Sequence, residues 1–342
     1  MTDIHADLAR PAAAAAPTPA PALAPASLLD HGLHARVALP LLVLLALLPT
    51  IAVGLGEDFY IGVASRILIF ALAAASLNFI LGFGGMVSLG HAAFVGLGAY
   101  TVGVLMQQGL ASAWLAWPAA MLTGAAFALL VGLVSLRTQG VYFIMITLAF
   151  AQMLYYLIMS FKALGGDDGL SMPSRSSVGL GLDLANDATF YYVVLALVAA
   201  CMLAMHRMLN ARFGHVLQAI RENEVRMTAI GFAVFRYKLV AFTLAGAFAG
   251  LAGALLANQG SFVGPGMLQW TQSGILLIMV ILGGVGRLYG GLAGAVVFLL
   301  LEEWLSAYTM HWQLGLGAVL LLVVLAAPNG LLSLLARRKG GR

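Results

Sequence analysis

The chain has 342 residues, of which 62% are hydrophobic and 9% charged, and its mean hydropathy is +0.99. A soluble domain carries roughly 25% charged residues, so this composition excludes an ordinary soluble protein and specifies a membrane protein. The formal charge of +4 is a topology signal rather than a sign of nucleic acid. The one cysteine, Cys201, rules out an internal disulfide or a cysteine metal cluster and reads as a small buried apolar residue.

Residues 1–36 hold the stretch RPAAAAAPTPAPALAPAS, with five of the eleven prolines. That composition predicts a disordered tail that buries no core. It lacks the basic start, apolar centre and adjacent cleavage site of a signal peptide. Residues 37–336 predict one membrane domain and 337–342 a basic tail. Runs of about 17–25 apolar residues read as transmembrane helices. They lie near 38–56, 61–81, 114–136, 140–160, 190–206 and 239–257, with shorter candidates near 90–106, 272–285, 289–305 and 312–328. The expected fold is an all-α membrane protein, a multi-pass bundle of about 10 (8–10) helices with one or more broken or re-entrant segments.

The break is expected where the apolar pattern meets GFGGMVSLGHAAFVGLGAY at 82–100. Each glycine in a helix interior costs about 1 kcal/mol relative to Ala. Irregular backbone at membrane depth survives only where protein buries it or it lines a cavity. A helix starting near Ser88–His91 aims its positive end at that loop, and broken helices in transporters use such ends to hold a carboxylate. Gly84, Gly85, Asn78, Ser88, His91, Tyr142, Thr147 and Gln152 are the candidate pathway residues. Against them stands the ordinary habit of Ser and Thr to bond their own helix, and of a lone imidazole to serve packing. The segments LGFGG at 81–85 and LGGVG at 282–286 form a weak internal echo. Gly96, Gly98, Gly246, Gly250 and Gly253 supply small faces for close helix packing.

Ten crossings from a cytoplasmic N-terminus put 14 of the 17 Lys and Arg residues inside, with Lys162 and Arg175 outside and Arg66 within a span. Residues 161–189 then form an outer loop, and 207–238 the one long charged inner loop. Within it Phe213, Val216, Leu217 and Ile220 share a helix face, which Met227 and Ile230 roughly extend. Asn210 is the expected N-cap and Gly231 the stop. Such a helix either lies on the bilayer or docks into a cytoplasmic partner. None of the three lysines follows a glycine, so no phosphate loop exists. No Asp or Glu falls in a span interior, and Glu302–Glu303–Trp304 reads as an anchor at the outer boundary. Arg66 reads as an anchor that snorkels or pairs with Glu57 or Asp58. Energy is therefore expected from another subunit. No catalytic residue, metal site or cofactor is expected here.

Across about residues 60–335 the chain resembles the permease subunits of bacterial ABC importers for branched-chain amino acids, most of all the M-type subunit of the two-permease pair. The likeness rests on GMVSLGHAAFVGLGAY at 85–100, GVYFIMITLAFAQM at 140–153 and GGDDGLSMP at 165–173. It continues through LQAIRENEVRMTAIGFAVFRYKLVAFTLAGAFAGLAGAL at 217–255, LLIMVILGGVGRLYGGLAGA at 276–295 and PNGLL at 328–332. The resemblance implies a second, H-type permease, two ATP-binding cassette ATPase subunits, a periplasmic substrate-binding protein and a place in the bacterial inner membrane with both termini cytoplasmic. It implies no nucleic acid. It maps a coupling helix onto 212–231, with His215, Gln218, Arg221, Glu222, Glu224, Arg226 and Gly231 as ATPase-coupling residues. The broader permease pattern, Glu-Ala-Ala with Gly six residues after the Glu, falls here on Val225, Arg226, Met227 and Gly231, so spacing is kept and the letters are not. Urea, short amides or another small polar solute are the alternative cargo. A secondary transporter lacks its in-span acid, and an intramembrane enzyme its paired nucleophile and base.

Overall fold

The computed structural model describes residues 59–326 apart from 180–182 and 309, together with 45, 47, 49, 50, 330 and 331. The expected tails at 1–36 and 337–342 lie outside the described residues, as does most of the expected span at 38–56. The described residues fold into eleven α-helices. They are α1 (Phe59–Gly84), α2 (His91–Gln107), α3 (Ala113–Ser135), α4 (Val141–Ser160) and α5 (Asp187–Asn210). After them come α6 (Arg212–Glu222), α7 (Glu224–Ala229), α8 (Val234–Gly260), α9 (Trp270–Gly283), α10 (Gly290–Tyr308) and α11 (Trp312–Ala326). Two short strands, β1 (Leu170–Ser171) and β2 (Phe262–Val263), pair antiparallel.

Six helices, α1, α3, α4, α5, α8 and α10, are long and apolar enough to cross a membrane, and α2, α9 and α11 are shorter apolar helices. The chain is a multi-pass, all-α membrane protein. Nine expected spans fall on these nine helices. Only six of them have full crossing length, so among the described residues the bundle is not ten equal crossings.

Burial separates the helices by role. The apolar window of α1 is 89% buried and that of α8 67%, against 28% for α4. A helix that is apolar all round belongs inside protein or in lipid; α1 and α8 take the first place and α4 the second. The two central helices are antiparallel, because Gln259 near the end of α8 donates to the Gly62 carbonyl near the start of α1 at 2.7 Å. That end of the bundle also carries the β1–β2 pair and is the strand end. The opposite end carries α6 and α7, which pack on α1 and α8, and is the amphipathic end.

Small residues permit this packing. Gly246 and Gly250 lie on the backbone of α3 at Gly124 and Ala120, and Gly253 lies on α2 at Val95. A side chain at any of them would run into backbone. The pairing pattern repeats: α3 lies on α8 as α10 lies on α1, and α2 lies on α3 as α9 lies on α10. With α1 and α8 antiparallel, these are two inverted halves, α1–α4 and α8–α11. The echo at 81–85 and 282–286 does not mark equivalent positions of these halves. It marks the ends of α1 and α9, which touch, Gly82 against Gly286.

Candidate translocation and coupling site

The Gly-rich stretch is a re-entrant turn. Gly84 ends α1, and Gly85 takes a φ of +69°, where a side chain is strained. The Met86 N–H reaches back to the Ile80 carbonyl at 3.1 Å, and Ser88 Oγ accepts from the Gly90 N–H at 3.2 Å. Gly90 then lies directly on the Thr147 backbone of α4. His91, the first residue of α2, is level with Ser76 of α1, with Nε2 2.8 Å from Ser76 Oγ. Ser76 lies eight residues before Gly84, so α2 starts about 12 Å inside the amphipathic end of the bundle at 1.5 Å per residue.

Helix α9 also starts inside. Ser273 in its first turn accepts from the Ala92 N–H at 2.8 Å. The preceding chain descends along α2, with Val263 against Gly103 and Leu268 against Gly96. The two short helices therefore meet start to start in mid-bundle and run to opposite ends. The Ser76 hydroxyl gives its proton to the Ala73 carbonyl at 2.7 Å, so His91 Nε2–H is the donor to Ser76, and the buried Nδ1 has no partner among the described residues. Ala93 N–H is bonded to the Gly90 carbonyl at 3.1 Å. The start of α2 is thus largely satisfied by protein groups and offers few N–H donors to a carboxylate.

Ser88, His91, Thr147 and Asn78 are all buried. Thr147 bonds its own helix at the Ile144 carbonyl, 2.9 Å, and Gln152 Nε2 is buried without a partner among the described residues. Tyr142 does not join this group; it is 73% exposed on α4. Asn78 is a clamp: Nδ2 donates to the Arg287 carbonyl at 2.6 Å, and Oδ1 accepts from the Gly286 N–H at 3.1 Å.

The amphipathic segment is two helices, not one. Asn210 is not its cap; α5 runs through Asn210 and only Ala211 separates it from α6. Asn223 interrupts the expected helix over 212–231 and caps α7, with Oδ1 2.9 Å from the Arg226 N–H. Gly231, at φ +91°, ends α7 as expected. The apolar face is turned onto the bundle: Leu217 and Ile220 are buried, as is Met227, whereas Ile230 is exposed. Leu217 packs near Gly84, and Arg221 donates from Nη1 to the Gly82 carbonyl. Glu224 is bound to Lys238 at 2.6 Å. Arg221 and Glu224 thus hold the segment to its own bundle, while His215, Glu222 and Arg226 are exposed and Gln218 is half-buried. Three stretches distant in sequence, the end of α1, the 284–289 loop and α6, meet at one junction.

A family model described as the permease component of branched-chain amino acid transport systems matches residues 59–325. The chain belongs to this family. It is 29% identical over 295 residues to the high-affinity branched-chain amino acid transport system permease protein LivM of Escherichia coli, covering 80% of this chain and 69% of that protein. LivH of Salmonella typhimurium is 24% identical over 286 residues, covering 77% of this chain and 91% of its own length. The autoinducer 2 import system permease protein LsrC of Klebsiella pneumoniae is 30% identical over 155 residues, covering 43% of this chain and 44% of LsrC. No solved structure matches.

At the strand end of this permease, the described residues of the outer segment, 161–179 and 183–186, are pinned rather than loose. Arg175 pairs with Asp187 at 2.7 Å and lies 4.7 Å over the Phe190 ring. The Ser176 N–H donates to Asn258 of α8 at 2.7 Å, while Asp167 and Asp168 are exposed. A cavity of about 480 Å³ opens between α1, α2, α8 and α9, with Arg66, Gln259 and Gln272 as its polar side chains. The expected partners of Arg66, Glu57 and Asp58, lie outside the described residues; among the described residues Arg66 pairs with Glu302 of α10 at 3.3 Å. Sequence reasoning missed this partner, Ser76 and Ser273. The one signal available for the first was a pair of opposite charges, each set in an apolar helix.

Proposed function

We propose that this chain is the permease subunit of an ATP-driven importer carrying branched-chain or other hydrophobic amino acids across the inner membrane. Its permease domain spans 37–336. A second, H-type permease completes the pathway, two ATPase subunits drive it, and a periplasmic binding protein delivers the solute at 161–189. Both termini and the amphipathic end face the cytoplasm, in keeping with the distribution of Lys and Arg. The matches to both LivM and LivH support pairing with a second permease and favour amino acids over urea or short amides.

The observation that carries the reading is the junction at Arg221. The apolar face of α6 is used on the protein's own bundle, so α6 cannot lie with that face in lipid. Glu222, Val225, Arg226 and Ile230 remain exposed toward a partner. A push on α6 or α7 reaches Gly82 through Arg221, the re-entrant turn through Gly85, and the 284–289 loop through Asn78. ATP-driven closure of the partner subunits thereby moves the buried turn at Ser88–His91, which gates the pathway. The permease itself makes and breaks no covalent bond.

The test is Arg221→Glu in the reconstituted assembly. Leucine uptake and solute-stimulated ATP hydrolysis are both expected to fall at least about tenfold. Wild-type levels of both remove Arg221 from the coupling path.

A further inference from the structure

We propose that the cavity at the strand end is the subsite in which the permease holds the head group of a zwitterionic amino acid, Arg66 in its lining taking the α-carboxylate and Glu302, beside Arg66 on α10, the α-ammonium. This rests on the reading of the chain as an amino-acid permease. It assigns a place and a chemistry that neither the family match nor the re-entrant turn supplies.

Four observations converge. The volume, about 480 Å³, lies within the 300–1,000 Å³ range of small-molecule sites. Its walls are apolar, with Ile69, Val95, Leu256, Met267 and Leu276 among them, and suit a branched aliphatic side chain. The lining carries one ionic group, Arg66, and Glu302 stands 3.3 Å from it on α10, just outside the lining, the two side chains 43% and 22% exposed. An ionisable pair within membrane helices is costly and is a functional-site candidate by default. Finally, the deep end of the cavity reaches Ala73 and Ala92, and Ala92 is bonded to Ser273 beside His91. The cavity therefore leads from the Arg66–Glu302 pair to the re-entrant turn.

The pairing explains how a charged solute enters an apolar wall. In the empty cavity each charge is neutralised by the other. A zwitterion inserts between them and offers each an opposite charge, so no bare ion is left in low dielectric at either stage. Arg supplies the planar fork that matches a carboxylate. The start of α2 cannot do this well, because Ser273 and Gly90 already hold its N–H groups.

The test uses the full assembly in proteoliposomes, with leucine on the binding protein. Arg66→Gln, Glu302→Gln and the double variant are each purified with their partner subunits. All three are expected to lower maximal leucine uptake about tenfold or more, the loss of one charge-assisted hydrogen bond. The double variant strands no charge, so it separates binding from structure. If it recovers uptake to within about twofold of wild type, the pair is structural only and the proposal falls. Uptake by Arg66→Gln at the wild-type rate overturns it equally. As a second reading, Leu256→Cys in a Cys201→Ser background is labelled with a thiol reagent. Millimolar leucine is expected to slow labelling, and leucinol, which lacks the carboxylate, is not; equal rates with and without leucine contradict the subsite. A wild-type assembly that moves no leucine overturns the amino-acid reading itself, which keeps the two failures apart.

Discussion

Gly253 lies where α8 crosses α2, and a Cβ there would run into the Val95 carbonyl and crowd the Ala99 nitrogen. Backbone cannot yield as a flexible side chain can, so Gly253→Val is expected to cost the upper end of the ~1–3 kcal/mol of overpacking, or more. Gly274 in α9 is the control, since nothing lies within 4 Å of its missing Cβ. Gly274→Ala is expected to be neutral or to stabilise by about 0.4–1 kcal/mol through the unfolded chain. Thermal unfolding of the purified protein measures both, and equal shifts would refute the packing argument. The sequence put Gly246, Gly250 and Gly253 on one face of a helix. It could not divide them between two neighbours, α3 for the first two and α2 for the third, because that division depends on where three helices cross.

At the scale of elements, the 284–289 loop hangs on Asn78. Asn78→Leu keeps the branched shape and heavy-atom count but removes both hydrogen bonds, leaving the Gly286 N–H and the Arg287 carbonyl without this partner. A stability loss on the order of 2 kcal/mol, with a fall in uptake, is expected from unfolding and transport measurements; unchanged uptake would remove this clamp from the coupling path. Element identity was legible because runs of apolar residues set helix positions directly, and the ends of α2, α3 and α10 fall within a few residues of those expected. The interruption of the coupling segment was not legible. Met227 stays buried after Asn223, so the apolar side carries across a break that only the cap geometry reveals. The re-entrant turn was legible as a conflict, glycines inside an apolar run. Its depth was not, because depth is set by Ser76–His91 and Ala92–Ser273 contacts between residues 15 and 181 positions apart. The Arg66–Glu302 pair spans 236 positions, and opposite charges in two apolar helices do not by themselves say that the helices meet.

At the scale of the molecule, two inverted halves place two short helices start to start, with α1 and α8 as the buried axis between them. Two connections interrupt the long helices, 85–90 and 261–269, and both stretches meet α2. The amphipathic end grips the first through Arg221, and the cavity at the strand end opens beside the second. The central claim is that the turn at Ser88 is a gate worked from the amphipathic end. Water access at that turn tests it most directly. A Ser88→Cys variant in a Cys201→Ser background, assembled with its partners, is labelled with a water-soluble thiol reagent with and without ATP. Ser88 is fully buried here, so slow labelling is expected in one nucleotide state and fast labelling in the other. The same slow rate in both states would make the turn a packing feature and contradict the account.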